Sequence, residues 1–177
     1  MPIIDPIDLD TANDLGLGPT LESFGDLGEK DAVFPRILAL VPGYAEAMWN
    51  AMAEAHLEGG VDLKLKEIMR IQLARTAHDP YFSSLRSEKA IDAGLSEERI
   101  EAGCADFEND PQFTPAERWA LRYSYLMYRE PDRVDAAFYE EGKKHFTEAQ
   151  IVELGGMIAV HYGMQVFMRT VQVGPSD

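Results

Sequence analysis

Helix start and stop signals succeed one another from Phe34 onward with no alternating run between them, and this most limits what the chain can fold into. Thr114-Pro115-Ala116-Glu117 pairs a capping box with proline at the first helical position. Thr147-Glu148-Ala149-Gln150 repeats the device. Asp62 and Ser96 are further N-cap candidates, and Gly59-Gly60 and Gly94 are stop signals. The spacing predicts helices over 42–55, 62–77, 80–94, 97–107, 115–128, 134–145 and 148–171, with a short one opening at Pro35. No segment calls for a strand, so the expected class is all-α. Two of these helices, 62–77 and 148–171, are apolar on more than one face. Such helices are central in a bundle or shared between subunits, and a homo-oligomer is expected.

The first 31 residues read differently. They hold eight carboxylates against Lys30, together with Pro2, Pro6 and Pro19. The expectation is an extended acidic N-terminal arm over 1–31, followed by one helical domain over 32–177. Ile3, Ile4, Ile7, Leu9, Leu15 and Leu17 are too many apolar residues for a free tail, so the arm should pack on something, a neighbouring subunit included.

The net charge of −15 argues against nucleic acid and anionic membrane surfaces, both of which demand a basic face. No apolar run approaches the roughly 20 residues of a membrane span, and the N-terminus lacks the basic region of a secretory or transit signal. Cys104 is the single cysteine, which rules out an intramolecular disulfide and fits a reducing cytoplasm.

Among residues able to carry chemistry, Glu67 comes first. It shares a helical stripe with Ile71, Ala74 and His78, and therefore points into apolar surroundings. A buried carboxyl group tends to keep its proton and to act as a general acid or base, unless it is paired, with Arg70 one turn on or with an arginine from elsewhere. His161 lies on the stripe of Ile151, Leu154 and Ile158, as a hydrogen-bonded core residue or a catalyst. His56, His78 and His145 carry no special signal, and no histidine pair has metal-ligand spacing. Neither a metal nor a cofactor is expected. The acidic neighbours Glu101, Asp106 and Glu108 should make Cys104 an inert thiol.

Three segments resemble the AhpD-like superfamily of alkylhydroperoxidase and carboxymuconolactone decarboxylase proteins. They are Phe34–Leu40, the hairpin Glu67–Leu95, and the pair Pro115–Tyr125 and Phe146–Arg169. The resemblance implies an all-helical AhpD-like bundle that forms homo-oligomers. In the peroxidase branch the hairpin carries Cys-x-x-Cys, a glutamate before it and a histidine after it. Those positions are here Asp79 and Phe82, Glu67, and Arg86. The frame stands without its sulfurs, so the dithiol route should fail. If the family geometry holds, Arg86 approaches Glu67 across the hairpin, as an ion pair or as an anchor for a substrate carboxylate.

The expected activity is non-redox acid–base chemistry, of decarboxylase or isomerase type, on a small organic acid. Glu67, Arg86 and His161 are the catalytic candidates, and Asp79, Tyr81 and Phe82 the substrate-binding ones. The alternatives are a non-catalytic binding or scaffold oligomer, and a peroxidase activity that the missing cysteine pair disfavours.

Overall fold

The computed structural model describes residues 2–27 and 33–174. It contains helices and turns and, among the described residues, no strand. In chain order the helices are α1 (Leu9–Asp14), α2 (Gly18–Ser23), α3 (Val33–Leu38), α4 (Pro42–Met52), α5 (Leu63–Thr76), α6 (Pro80–Ser84), α7 (Glu88–Asp92), α8 (Glu97–Cys104), α9 (Pro115–Arg129), α10 (Ala136–Gly142) and α11 (Glu148–Thr170).

Both expected capping boxes form at α9 and α11, and Asp62 caps α5 through the N–H groups of Lys64 and Leu65. These are local bonds between residues two or three apart, which is why sequence alone locates them.

α5 is the hub. All ten residues from Leu65 to Ala74 are buried, between α11 on one side and α8 and α9 on the other. One core gathers Ile68, Leu73, Trp119, Leu121, Leu154 and Ile158. A second joins Phe24, Phe34, Met52, Tyr81, Phe82 and Met168 with Ala74 of α5. α11 is by length and composition apolar enough to cross a membrane, which the sequence expectation had denied of any segment. It nevertheless lays Leu154, Met157, Ile158, His161 and Gln165 into the core.

The N-terminal segment differs from the extended arm expected of it. Asp8 caps α1 by accepting from Thr11 N–H, Pro19 lies in the first turn of α2, and a 3-10 turn follows at Phe24–Leu27. Short helices form here because the segment has the chain itself to fold on. Leu17 and Phe24 enter the second core, and Ile3 N–H donates to Val171 O at 2.8 Å. The expected arm boundary at 31 lies outside the described residues.

A second difference is in the hairpin. One helix was expected over 80–94; the structure has α6 and α7, separated by Leu85-Arg86-Ser87. The break has a local cause. Arg70 takes the carbonyls of Phe82 and Leu85, and Ser87 turns its side chain to cap α7. Backbone groups bound elsewhere are not free for a continuing helix.

Upstream of α6, α5 ends in a Schellman motif. His78 N–H donates to Arg75 O and Asp79 N–H to Ala74 O, with His78 in the left-handed region at φ 54°. The motif reverses the chain so that Asp79, the last residue of one helix end, caps the next helix through Phe82 N–H at 2.8 Å.

Candidate functional site

α5 carries Glu67 and Arg70 on one face, one turn apart. The guanidinium holds the carboxylate with two bonds, Nε to Oε2 at 2.8 Å and Nη2 to Oε1 at 2.6 Å. Both side chains are 1% exposed. Ser87 N–H adds a third donor to Oε1 at 2.9 Å. Burial alone would raise the Glu67 carboxyl. The adjacent Arg70 charge and its hydrogen bonds, helped by His56, outweigh burial and hold it below the usual carboxylate range. Glu67 is therefore an anion at neutral pH and a weak base.

His56 reaches this pair from a different helix. α4 continues beyond Met52 into a single π-helical turn, Ala53–Leu57, closed by Glu58 N–H on Ala53 O. The wider turn sets His56 inward, with no exposed surface. Its Nε2 lies 3.4 Å from Glu67 Oε2, and its Nδ1 lies 3.0 Å from His161 Nε2 on α11. The loop after this turn is tied to α11 as well: Gly60 and Val61 N–H groups and buried Lys66 all donate to Glu153.

The proton positions follow from the neighbours. The Glu67 anion lies 3.4 Å from His56 Nε2, an ion-pair distance without hydrogen-bond geometry, and its charge favours the tautomer with the proton on that nitrogen. His56 Nδ1 then accepts from His161 Nε2–H, and His161 Nδ1 is left with a free lone pair. That atom has no protein partner among the described residues, nor has Gln165 Oε1 one turn further along α11. Gln165 spends its amide N–H on Arg70 O at 3.0 Å. Two acceptors on one buried helix face are thus left for a donor. Burial, then the charges of His56 and Arg70, push His161 well below the ordinary histidine value. Burial also lowers His56, against the pull of Glu67. Both rings are neutral at pH 7.

Asp79 is the other unusual group. It is 1% exposed; one oxygen caps α6 and Oδ2 has no protein partner among the described residues. Burial raises its carboxyl to about 6, against the opposing N–H groups of Phe82 and Tyr81.

The candidate residues are brought together only in part. Glu67 and His161 join one network through His56, a residue in which the sequence showed no signal. Arg86 does not meet Glu67. It is held by Glu97 (Nη2 to Oε1, 2.6 Å) and by the carbonyls of Ser83 and Leu85. Arg70 occupies the place expected for it, because an arginine one turn along the same helix reaches the carboxylate without crossing a loop. Tyr81 and Phe82, expected as a substrate wall, are packed core, in ring contact with each other and, through Phe82, with Phe34. Cys104 is half-buried, and burial, more than its acidic neighbours, pushes its thiol up to about 11. Among the described residues no three His, Cys, Asp or Glu side chains gather in a way that could hold a metal.

Residues 42–124, spanning α4 to α9 and therefore the whole Glu67–Asp79 segment, match the profile of the carboxymuconolactone decarboxylase family. The fold is also similar to the AhpD core of a peroxidase-related protein from Ralstonia eutropha JMP134, at TM-score 0.78 and 16% identity, covering 100% of this chain and 94% of that one. Over residues 42–124, just under half of its length, the chain is similar to the carboxymuconolactone decarboxylase family. A peroxidase-related protein from Silicibacter sp. TM1040 superposes at TM-score 0.76 with 14% identity, covering 99% and 89%. The debrominase Bmp8 superposes at TM-score 0.80 with 17% identity, covering 98% and 91%. At these identities the structural likeness carries the fold alone. No curated protein sequence matches. The chain has a single cysteine, and the resemblance to the peroxidase branch puts Asp79 and Phe82 at the dithiol positions.

Proposed function

We propose that this chain is a non-redox acid–base enzyme acting on a small organic acid by decarboxylation or isomerisation. The observation that carries the reading is the directed chain Glu67–His56–His161, which ends in an unpartnered His161 Nδ1. A base oriented by a second group, itself oriented by a third, is the arrangement that proton abstraction calls for. His161 is the base, His56 fixes its tautomer, and Glu67 anchors His56. Glu67 thereby moves from the base expected from sequence to a positioning residue. Asp79, with one free oxygen and a carboxyl near 6, is a second proton carrier. Both Asp79 and His161 are 1% exposed, so under this reading each meets substrate only when the helices around it open.

The test is proton exchange in D2O, followed by NMR, over a panel of unsaturated acids and lactones. Planar rings belong in the panel, since Bmp8 is known in complex with 2,3,4-tribromopyrrole. Turnover is expected without reductant, unchanged in Cys104→Ser, and reduced on the order of 100-fold or more in His161→Asn. An undiminished His161→Asn enzyme removes the assigned base. Dithiol-dependent peroxide consumption that survives Cys104→Ser overturns the non-redox reading altogether.

A second reading, a binding or scaffold protein, is favoured by one observation. Glu67 is saturated by Arg70 and Ser87 N–H, and these bonds tie α5 to the α6–α7 break. Under that reading the network is structural, and no member of the panel exchanges protons.

A further inference from the structure

A cavity of about 490 Å³ opens on the face of α5 turned away from Glu67, between the C-terminal half of α5, the end of α8 and α9. Its size lies within the range of small-molecule sites, roughly 300–1,000 Å³. Its charge is opposite to that of the chain. Arg75, Arg122, Arg129 and Arg133 line it against a single carboxylate, Glu108, in a protein of net charge −15.

The four arginines are not equivalent. Arg75 is bound to Glu101, Arg122 to Glu108 (Nε to Oε1, 2.6 Å) and Arg133 to Glu130 at 2.9 Å. Arg129 forms no ion pair among the described residues. Its Nη2 donates to Thr76 O at 3.1 Å, which fixes the guanidinium at the rim and leaves its other donors free. The remaining wall is apolar and flat: Phe107, Tyr125 and Leu126. Tyr125 is half-exposed there, although an aromatic ring of this kind is normally covered. The floor is closed by Gln72, whose amide oxygen accepts from the buried Ser124 hydroxyl.

We infer that this cavity binds a small aromatic carboxylic acid, the carboxylate on Arg129 and the ring along Tyr125 and Leu126. A guanidinium fork recognises a carboxylate through two parallel bonds. The flat apolar wall supplies the contact that selects a ring over a simple anion. The site shares α5 with the buried network but none of its side chains, and it stands apart from the acid–base reading, since binding is measured without turnover.

Cys104 lines the cavity and is the sole thiol of the chain, so it serves as a reporter. The experiment is calorimetric titration of the full chain with 2-naphthoate, alongside the rate of Cys104 alkylation by iodoacetamide at about pH 9, where a measurable thiolate fraction exists. Saturable one-to-one binding is expected, with slower alkylation when the site is filled. Arg129→Gln is expected to weaken binding about tenfold or more, the loss of a charge-assisted pair. Arg133→Gln, at a rim residue already paired with Glu130, keeps the test open if the first variant folds poorly; it is expected to weaken binding less. The uncharged 2-naphthol should not protect Cys104. No saturable binding by about 1 mM, or binding indifferent to Arg129, overturns the inference. Inorganic phosphate protecting Cys104 as well as naphthoate overturns the aromatic part of it.

Discussion

Replacing Arg70 by methionine removes the counter-ion of a carboxylate that has no other cation in contact among the described residues. The structure sets the scale. Arg70 makes two bonds to Glu67 and one each to Phe82 O and Leu85 O, with both charged partners 1% exposed. Methionine fills the volume and satisfies none of these groups. Removing one partner of a buried pair costs ~3–5 kcal/mol, because the other charge stays behind without compensation. For a chain of this size each kcal/mol lowers the melting temperature by roughly 2–4 °C, so a fall of roughly 6–20 °C is expected. The pH dependence gives a sharper check. In the native protein Glu67 is depressed, so its contribution is present above the unfolded carboxyl value, about 4.3, and is lost as pH falls through the folded value. In the variant the depressing charge is gone and burial dominates, which raises the carboxyl and reverses the sign. The Glu67 contribution then worsens as pH rises. The difference in urea-unfolding free energy between native and Arg70→Met protein should therefore be smaller at pH 5 than at pH 8. A cost below about 1 kcal/mol at pH 8, where an exposed pair would lie, or a difference that grows on acidification, refutes the argument.

Two further outcomes follow from single contacts. Asp79→Asn keeps an oxygen for the α6 cap and removes a carboxyl raised to about 6. The native group contributes least above that value, since a raised acid loses stability as pH climbs from the unfolded value, about 3.9, through the folded one. The variant should match the native protein near pH 4 and exceed it by about 3 kcal/mol at pH 8, read from thermal melts; equal melts at both pH values would show that Asp79 titrates normally. Gly142→Ala places a methyl 2.2 Å from Trp119 Cζ2, in a ring held by stacking on Phe138 and by its N–H on Phe138 O. Overpacking of this kind costs about 1–3 kcal/mol, and an unchanged melting temperature would mean that α10 shifts freely.

Much of the fold is legible because its signals are short-range. Thr114 and Thr147 find their capping partners three residues away, and Asp62 finds its own within the same turn. Glu67 is legible as a buried carboxylate from the apolar stripe it shares. The break at Leu85–Ser87 is not, because it depends on Arg70 arriving from another helix to take two carbonyls. The arginine that faces Glu67 is Arg70, one turn along the same helix, which the sequence leaves open beside arginines from elsewhere. Arg86 is nearer in the borrowed frame, but its side chain leaves the hairpin for Glu97.

The amino-acid order by itself determined the helical class, the position of most caps, the solitary inert thiol and the absence of a dithiol. These rest on bonds between neighbours in sequence or on composition. Only the tertiary structure decided that His56 and His161, 105 positions apart, share a hydrogen bond, and that four arginines surround one cavity. Such meetings depend on how a π-helical turn rotates one side chain and how α5, α9 and α11 cross. No periodicity encodes those crossings; they are set by the packing of side chains across the whole core.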